Sequence, residues 1–152
     1  MKFIISIILC FASLNFIKSQ EANKILGYWL TENGKSQVKV FKATNGKYYG
    51  KIVWLKNPLR DDGTPKIDDK NPDPALKNKP LIGLQILNGF VYDEKKKEWN
   101  EGKIYDPESG NTYKCFIKFK DNNYNELYVK GYIGISLIGR ETLWIRENSE
   151  RK

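Results

Sequence analysis

The feature that most constrains this chain is a series of short runs in which apolar and polar residues alternate, each ended by turn-forming residues. The clearest run is Thr112–Lys120, where every second residue from Tyr113 to Phe119 is apolar and lysines stand at 114, 118 and 120. A period of two is typical of a β-strand with one buried face. Elsewhere Asn45-Gly46, a strong signal for a tight hairpin turn, separates two such runs. These patterns predict an all-β protein.

Eight strands are predicted, with tight turns between most of them. Their expected positions are Ile25–Leu30, Ser36–Ala43, Lys47–Leu55, a fourth that begins at Leu81, Glu98–Asp106, Thr112–Lys120, Glu126–Tyr132 and Ile135–Arg146. Consecutive hairpins favour antiparallel neighbours, and closure of the sheet removes two exposed edges. We therefore expect a single antiparallel up-and-down β-barrel of about eight strands, with a two-sheet sandwich as the alternative.

The first 19 residues have the pattern of a secretory signal peptide. Lys2 gives a positive start, an apolar run follows, and Ser19 precedes the polar residues that open the mature chain. The apolar run is shorter than the ~20 residues of a spanning helix, so cleavage is expected instead of a membrane anchor. The prediction is an exported protein, periplasmic or secreted, with one domain over residues 20–152, a core of about 25–147 and no transmembrane span after cleavage.

Gly27 and Trp29, followed by an arginine late in the last strand, resemble the signature of the calycin barrels, the lipocalins and their relatives. In that group the arginine lies across the tryptophan and closes one end of the barrel, a favourable cation–π pair. The resemblance implies the same closure here. Arg146 is the first candidate for the arginine, and Arg140 is the second.

The whole mature chain resembles one exported bacterial family, domain-of-unknown-function family 2147. Its motifs occur here in order: Gly27-Tyr28-Trp29, Gly50-Lys51-Ile52-Val53-Trp54, Asp69-Lys70-Asn71-Pro72, Gly83-Leu84, Gly102-Lys103-Ile104-Tyr105-Asp106-Pro107, Ser109-Gly110, Tyr113, Val129-Lys130-Gly131-Tyr132 and Trp144-Ile145-Arg146. The resemblance runs from about Gly27 to Arg146. It implies a lipocalin-like barrel, but it implies no activity.

The composition excludes several kinds of chemistry. The chain has no histidine, which removes Ser-His-Asp and Cys-His catalysis, histidine metal sites and the commonest general base. Cys115 is the one cysteine left after cleavage, so no internal disulfide is expected. It stands on the apolar face of its strand, which indicates a small buried residue and not a catalytic thiol. No catalytic residue, cofactor or metal site is predicted, and we expect no enzyme.

Residues 56–80 interrupt the strand pattern with five of the chain's six prolines and many acids. Proline cannot donate to a strand ladder, so this segment is predicted to be a long loop that serves as a lid. Asp68, Asn71 and Asp73 place oxygen ligands close together there, but they do not match the calcium-loop pattern. We favour a solvated, turn-forming loop over a metal site or a carboxylate-dependent enzyme.

The chain is basic, with a net charge of +8 that falls to +6 when the leader with Lys2 and Lys18 is removed. The lysines are scattered along alternating strands, which indicates a solvated strand face. No nucleic-acid partner is expected. The partner that this charge allows is an anionic surface of the cell envelope, which the protein would contact peripherally.

The leading functional hypothesis is a barrel that binds a small apolar or amphipathic ligand. Its cavity is predicted from the apolar positions that face inwards: Trp29, Val40, Ile52, Trp54, Leu84, Ile86, Tyr113, Ile117, Leu127, Val129 and Trp144. The same large side chains can instead fill an eight-stranded barrel. The alternative hypothesis is therefore a structural or interaction protein of the bacterial cell envelope with no internal ligand.

Overall fold

The computed structural model describes residues 20–135 and 138–152, so the predicted signal peptide lies outside the described residues. The described chain forms eight strands: β1 (Gly27–Leu30), β2 (Ser36–Lys42), β3 (Tyr48–Leu55), β4 (Gln85–Asp93), β5 (Glu98–Asp106), β6 (Asn111–Lys120), β7 (Asn123–Tyr132) and β8 (Gly139–Glu147). Residues 20–23 form a short helical segment before β1, and Glu32–Gly34 form one 3-10 turn. No helix within the described ranges is long and apolar enough to cross a membrane.

The strands form a closed barrel in which each strand pairs with its neighbours in sequence. All pairs are antiparallel, and β1 and β8 complete the circle through the pair Trp29 and Arg146. The prediction of a single antiparallel up-and-down barrel is confirmed, and the sandwich alternative is wrong. Closure pairs the backbone N–H and C=O groups that would lack partners on the two edge strands of an open sheet.

Three strands begin two or more residues later than predicted, each for a local reason. β1 starts at Gly27 because residues 21–26 make turns, including the bond from the Leu26 amide to the Asn23 carbonyl. β4 starts at Gln85 because the Leu84 amide bonds back to the Leu81 carbonyl. β8 starts at Gly139, since the Ile138 amide bonds back to the Ile135 carbonyl in the connection after β7. Ser136 and Leu137, which the prediction placed in the last strand, lie outside the described residues.

One end of the barrel is packed with aromatic side chains. Trp29, Phe90 and Trp99 are fully buried there, and the Trp99 ring meets Phe119 edge-on with centroids 5.3 Å apart. Gly102 makes this packing feasible, because a Cβ at that position would overlap the Phe90 ring. Around Ile25 the described side chains leave no room for a water molecule. We call this half of the interior the closed end.

Candidate functional site

The opposite end of the barrel contains a cavity of about 690 Å³. Its apolar wall comes from inward-facing side chains on several strands: Ile52, Leu55, Ile86, Ile104, Val129 and Trp144. Strand ends and connections form the mouth, including the 3-10 turn after β1 and the hairpin between β7 and β8, which contributes Ile133 and Ile138. A volume of this size lies within the range of small-molecule pockets, ~300–1,000 Å³. We call this half the open end.

The predicted cavity residues divide between the two halves. Those that line the cavity are Ile52, Ile86, Tyr113, Val129 and Trp144. Those that lie in the filled core, outside the cavity wall, are Trp29, Val40, Ile117 and Leu127. Leu84 is half-buried and packs against the core from the segment before β4. Alternation identified the inward positions but carried no information on their height in the barrel.

Trp54 does not face the interior, which corrects the prediction that it shares a face with Ile52. A β-bulge opposite Gln37 and Val38 leaves Val53 without a partner in register, so the alternation shifts by one residue. Leu55 takes the next inward position and lines the cavity. The Trp54 indole lies outside, where the Arg151 guanidinium stands 4.9 Å from its ring centroid.

Arg146, and not Arg140, lies over Trp29 at the closed end. The guanidinium carbon is 4.2 Å from the ring centroid. The same side chain donates hydrogen bonds to the backbone carbonyls of Leu26 (3.0 Å), Tyr124 (2.9 Å) and Lys24. Burial lowers the pKa of Arg146 from its ordinary value. One charged group therefore fastens the segment before β1 to the barrel wall.

Gly27 is required beside this arginine. Its φ of 123° is one that side chains rarely adopt, and a Cβ there would stand 3.3 Å from Arg146 Nη1. The Trp29 indole nitrogen donates a 2.8 Å bond to the Ile25 carbonyl, so the tryptophan is also satisfied within the closed end. Gly27, Trp29 and Arg146 thus form one contiguous closure.

The segment between β3 and β4 is fastened to the barrel by a buried carboxyl group. Asp68 is 0% exposed and accepts hydrogen bonds from the Tyr105 hydroxyl (2.6 Å) and from Asn71 Nδ2 (2.6 Å). Asp73 is exposed and accepts from the Ala75 amide in a local turn. The expectation of solvated side chains is correct for Asp73 but wrong for Asp68 and Asn71, because Tyr105 of β5 supplies the partner that burial requires.

Tyr105 belongs to both the loop anchor and the cavity wall. Burial, followed by the hydrogen bond and the charge of Asp68, raises the pKa of Tyr105 well above its ordinary value. Sequence reasoning did not single out Tyr105, since its partner lies 37 positions away in a segment without strand periodicity.

The loop continues from this anchor along the cavity mouth. Lys66 and Leu81 line the cavity, and Lys70 Nζ donates a 2.6 Å bond to the Glu108 carbonyl in the turn after β5. An exposed ion pair joins Arg60 and Asp69 at 3.3 Å. The loop therefore forms one side of the mouth.

The mouth also carries charged side chains that the sequence did not reveal as a group. Its cations are Lys35, Lys56, Lys66 and Arg140, and its acids are Glu32, Asp106 and Glu108. Lys35 and Glu108 form an ion pair at 3.4 Å. An apolar chamber under a charged rim is suited to a molecule with an apolar body and a polar end.

Reactive groups are scarce in the part of the chain that the structure describes. Cys115 is buried, and desolvation raises the pKa of its thiol, which disfavours the nucleophilic thiolate. Within residues 20–135 and 138–152, no three His, Cys, Asp or Glu side chains cluster so as to hold a metal ion.

Comparison with known proteins identifies relatives of this barrel. The sequence model of a family described as "Uncharacterized protein conserved in bacteria (DUF2147)" matches residues 27–146. A solved structure titled "Protein HP1028 from the human pathogen Helicobacter pylori belongs to the lipocalin family" matches with a TM-score of 0.67 and 26% sequence identity, covering 83% of this chain and 84% of that chain. No curated protein matches the chain.

Proposed function

Since this chain belongs to the DUF2147 family of uncharacterised bacterial proteins, with a lipocalin-like barrel, we propose that it binds one small apolar or amphipathic molecule at the open end. The observation that carries the proposal is the cavity of about 690 Å³ with its apolar wall. The filled-barrel alternative is disfavoured, because aromatic packing occupies the closed end and stops short of this space.

The size of the cavity favours a ligand over an empty interior. At ~30 Å³ per molecule of liquid, it has space for on the order of 20 waters. Water against the isoleucine and valine side chains lacks hydrogen-bond partners, so replacing it with apolar surface is favourable. A ligand that fills this space therefore gains from burial without any rearrangement of the strands.

We also propose that the loop over residues 56–80 acts as a cover at the mouth. The Asp68–Tyr105 bond supports this role, since it holds the middle of the loop beside the cavity. Export of the mature domain, to the periplasm or beyond, remains a proposal from the leader sequence. So does the absence of enzymatic activity, which the lack of histidine supports.

A fluorescent apolar probe provides the direct test. N-phenyl-1-naphthylamine, which is neutral, is expected to bind with a saturable rise in fluorescence and one site per chain. Ile104→Trp places a large ring in the cavity and is expected to weaken binding at least about tenfold. Ile145→Trp is the matched control, because Ile145 is an exposed residue of β8 outside the cavity.

Native mass spectrometry of the mature domain, purified from its own host, extends the test to natural ligands. A reproducible extra mass that is lost on denaturing extraction is expected. The proposal is overturned if the protein carries no extra mass, takes up none from a lipid extract and shows no saturable probe binding. Equal probe binding by Ile104→Trp and the unaltered protein would also overturn it.

A further inference from the structure

We propose that the ligand is an anionic amphiphile, with its acidic head group held at the mouth by Arg140, Lys56 and Lys66 and its apolar tail in the cavity. This inference rests on the proposed binding function and names the chemical class of the ligand. The observations that carry it are the order of side chains along β8, an unsatisfied hydroxyl in the wall and the unpaired cations at the mouth.

The inner face of β8 changes from charged to apolar as the strand enters the barrel. The strand begins beside the mouth at Gly139 and ends beside Trp29 of the closed end. Its alternate residues Arg140, Thr142 and Trp144 all line the cavity. A cation, a hydroxyl and an indole therefore follow one another from the mouth inwards, which matches the polarity of an amphiphile that enters tail first.

The neighbouring strand β7 places no side chain opposite the arginine. Arg140 pairs with Gly131 of β7, so no side chain stands opposite it on the inner face. A Cβ at Gly131 would stand 3.2 Å from Ile104 Cγ2, closer than most such contacts. The space over Gly131 is thus filled by Ile104 and Tyr113, and no side chain of β7 stands between Arg140 and the mouth.

Thr142 provides the second observation. Among the described residues, its Oγ1 is a buried side-chain oxygen without a hydrogen-bond partner, and the residue lines the cavity. A buried hydroxyl that lacks a partner is unfavourable, and most such groups in proteins are satisfied. Oγ1 itself is shielded from the cavity, so the polar part of an amphiphile supplies its acceptor only once the Thr142 side chain rotates about χ1 towards the ligand.

The charges at the mouth provide the third observation. Within the described chain, Lys56, Lys66 and Arg140 have no carboxylate within ion-pair distance, whereas Lys35 is paired with Glu108. Among the described acids of the mouth, Glu32 and Asp106 also lack an ion pair, and Asp106 accepts a 2.8 Å bond from the neutral Ser109 hydroxyl. The unpaired cations therefore outnumber the unpaired acids. A planar guanidinium binds carboxylate or phosphate oxygens in a bidentate manner, so either acidic group fits this rim.

The test compares three ligands with the same twelve-carbon chain: dodecanoate, dodecyl phosphate and dodecan-1-ol. Each displaces N-phenyl-1-naphthylamine from the unaltered protein, from Arg140→Gln and from Lys47→Gln. Lys47 is the matched control, because it is an exposed cation in the turn between β2 and β3, outside the cavity wall. Comparison of the two acids shows which anionic group the rim prefers.

We expect at least one acid to bind about 5–10-fold more tightly than the alcohol, the range for a partly exposed charge-assisted contact. Arg140→Gln is expected to weaken this preference and leave the affinity for the alcohol unchanged, whereas Lys47→Gln changes neither. Equal or tighter binding of the alcohol, or a preference that Arg140→Gln leaves unchanged, overturns the inference while the proposed function stands. Failure of the neutral probe to bind, together with no extra mass in native mass spectrometry before or after incubation with a lipid extract, overturns both.

Discussion

The closed end and the open end of this barrel use the same eight strands for different purposes. At the closed end, Trp29, Phe90 and Trp99 are fully buried and pack against one another and against Ile25 from the segment before β1. At the open end, the inward positions carry smaller side chains such as Ile104 and leave a cavity of about 690 Å³. The difference indicates that stability is concentrated in one half, which leaves the other half free to accommodate a ligand.

The two ends also differ in how their polar groups are satisfied. At the closed end, Arg146 donates to three backbone carbonyls and lies over the Trp29 ring. At the open end, Arg140 of the same strand has no ion pair in the described chain, and Thr142 Oγ1 has no hydrogen-bond partner. Satisfied groups stabilise a fixed structure, whereas an unpaired cation such as Arg140 at the mouth of a cavity is available to bind a ligand.

Truncation of core residues is expected to give the largest difference between the two ends in the free energy of unfolding. Trp29→Ala is expected to lower the free energy of unfolding by about 3–5 kcal/mol, because it removes a fully buried ring from a filled space. Ile104→Ala is expected to cost only about 1–2 kcal/mol, since one side of that residue already faces the cavity. Urea unfolding measures both values, and equal costs would show that the open end carries as much stability as the closed end.

The two arginines of β8 provide the next contrast. Arg146→Gln is expected to cost about 2–3 kcal/mol, because several buried backbone carbonyls lose charged donors and Trp29 loses its cation. Arg140→Gln is expected to change stability by less than about 0.5 kcal/mol, as is usual for an exposed residue without partners. Thermal unfolding of both variants checks this, and a large effect of Arg140→Gln would assign it a structural role.

Two neighbouring aspartates test how the loop is attached to the open end. Asp68→Asn is expected to cost about 1–2 kcal/mol, because the new amide nitrogen meets the Asn71 side-chain donor where the carboxyl oxygen accepted. Asp69→Asn is the matched control, with an expected loss below about 0.5 kcal/mol, since it removes only an exposed ion pair with Arg60. Equal losses would contradict the assignment of Asp68 as the anchor, and urea unfolding measures the difference.

The fold was predictable because its signals are local or short in range. Alternation in runs such as Thr112–Lys120, together with turn residues between them, is sufficient to predict strands, hairpins and a closed sheet. The closure of one end by Gly27 and Trp29 was implied by the resemblance to the calycin barrels, whose signature has a glycine two positions before a tryptophan. The choice between Arg140 and Arg146 needed the register of β1 against β8.

The open end was less predictable, for reasons of geometry. Period-two alternation shows which side chains face inwards, but the height of each in the barrel depends on register and strand tilt, so Leu127 in the core and Val129 in the cavity wall were not distinguishable. The bulge that turns Trp54 outwards depends on pairing with Gln37 and has no mark in the sequence of β3. The Asp68–Tyr105 bond joins a loop without periodicity to a distant strand.

The same bond predicts a pH dependence that is specific to the open end. The folded protein raises the pKa of Tyr105 by burial and by Asp68, so the stabilisation is fully present below the unfolded value of about 10 and is lost as the pH rises towards the folded value. Above about pH 10, the unaltered protein should lose up to about 1 kcal/mol per pH unit more than Tyr105→Phe. Tyr48, Tyr92 and Tyr128 also have raised pKa values, but they are present in both proteins and cancel in the difference. Parallel stability profiles between pH 9 and 11 would contradict the assignment.

The smallest expected effect concerns the hydroxyl that lacks a partner. Thr142→Val keeps the shape of the side chain and removes the buried oxygen, so it is expected to raise the free energy of unfolding by about 1 kcal/mol in the absence of ligand. The same change is expected to weaken binding of an amphiphile, because the polar part of the ligand loses the donor that Thr142 provides when its side chain rotates towards the cavity. If the substitution stabilises the free protein and also weakens ligand binding, then Thr142 contributes to binding and not to folding. Thermal unfolding with and without dodecanoate measures both effects, and a loss of stability in the free protein would show that the hydroxyl is already satisfied.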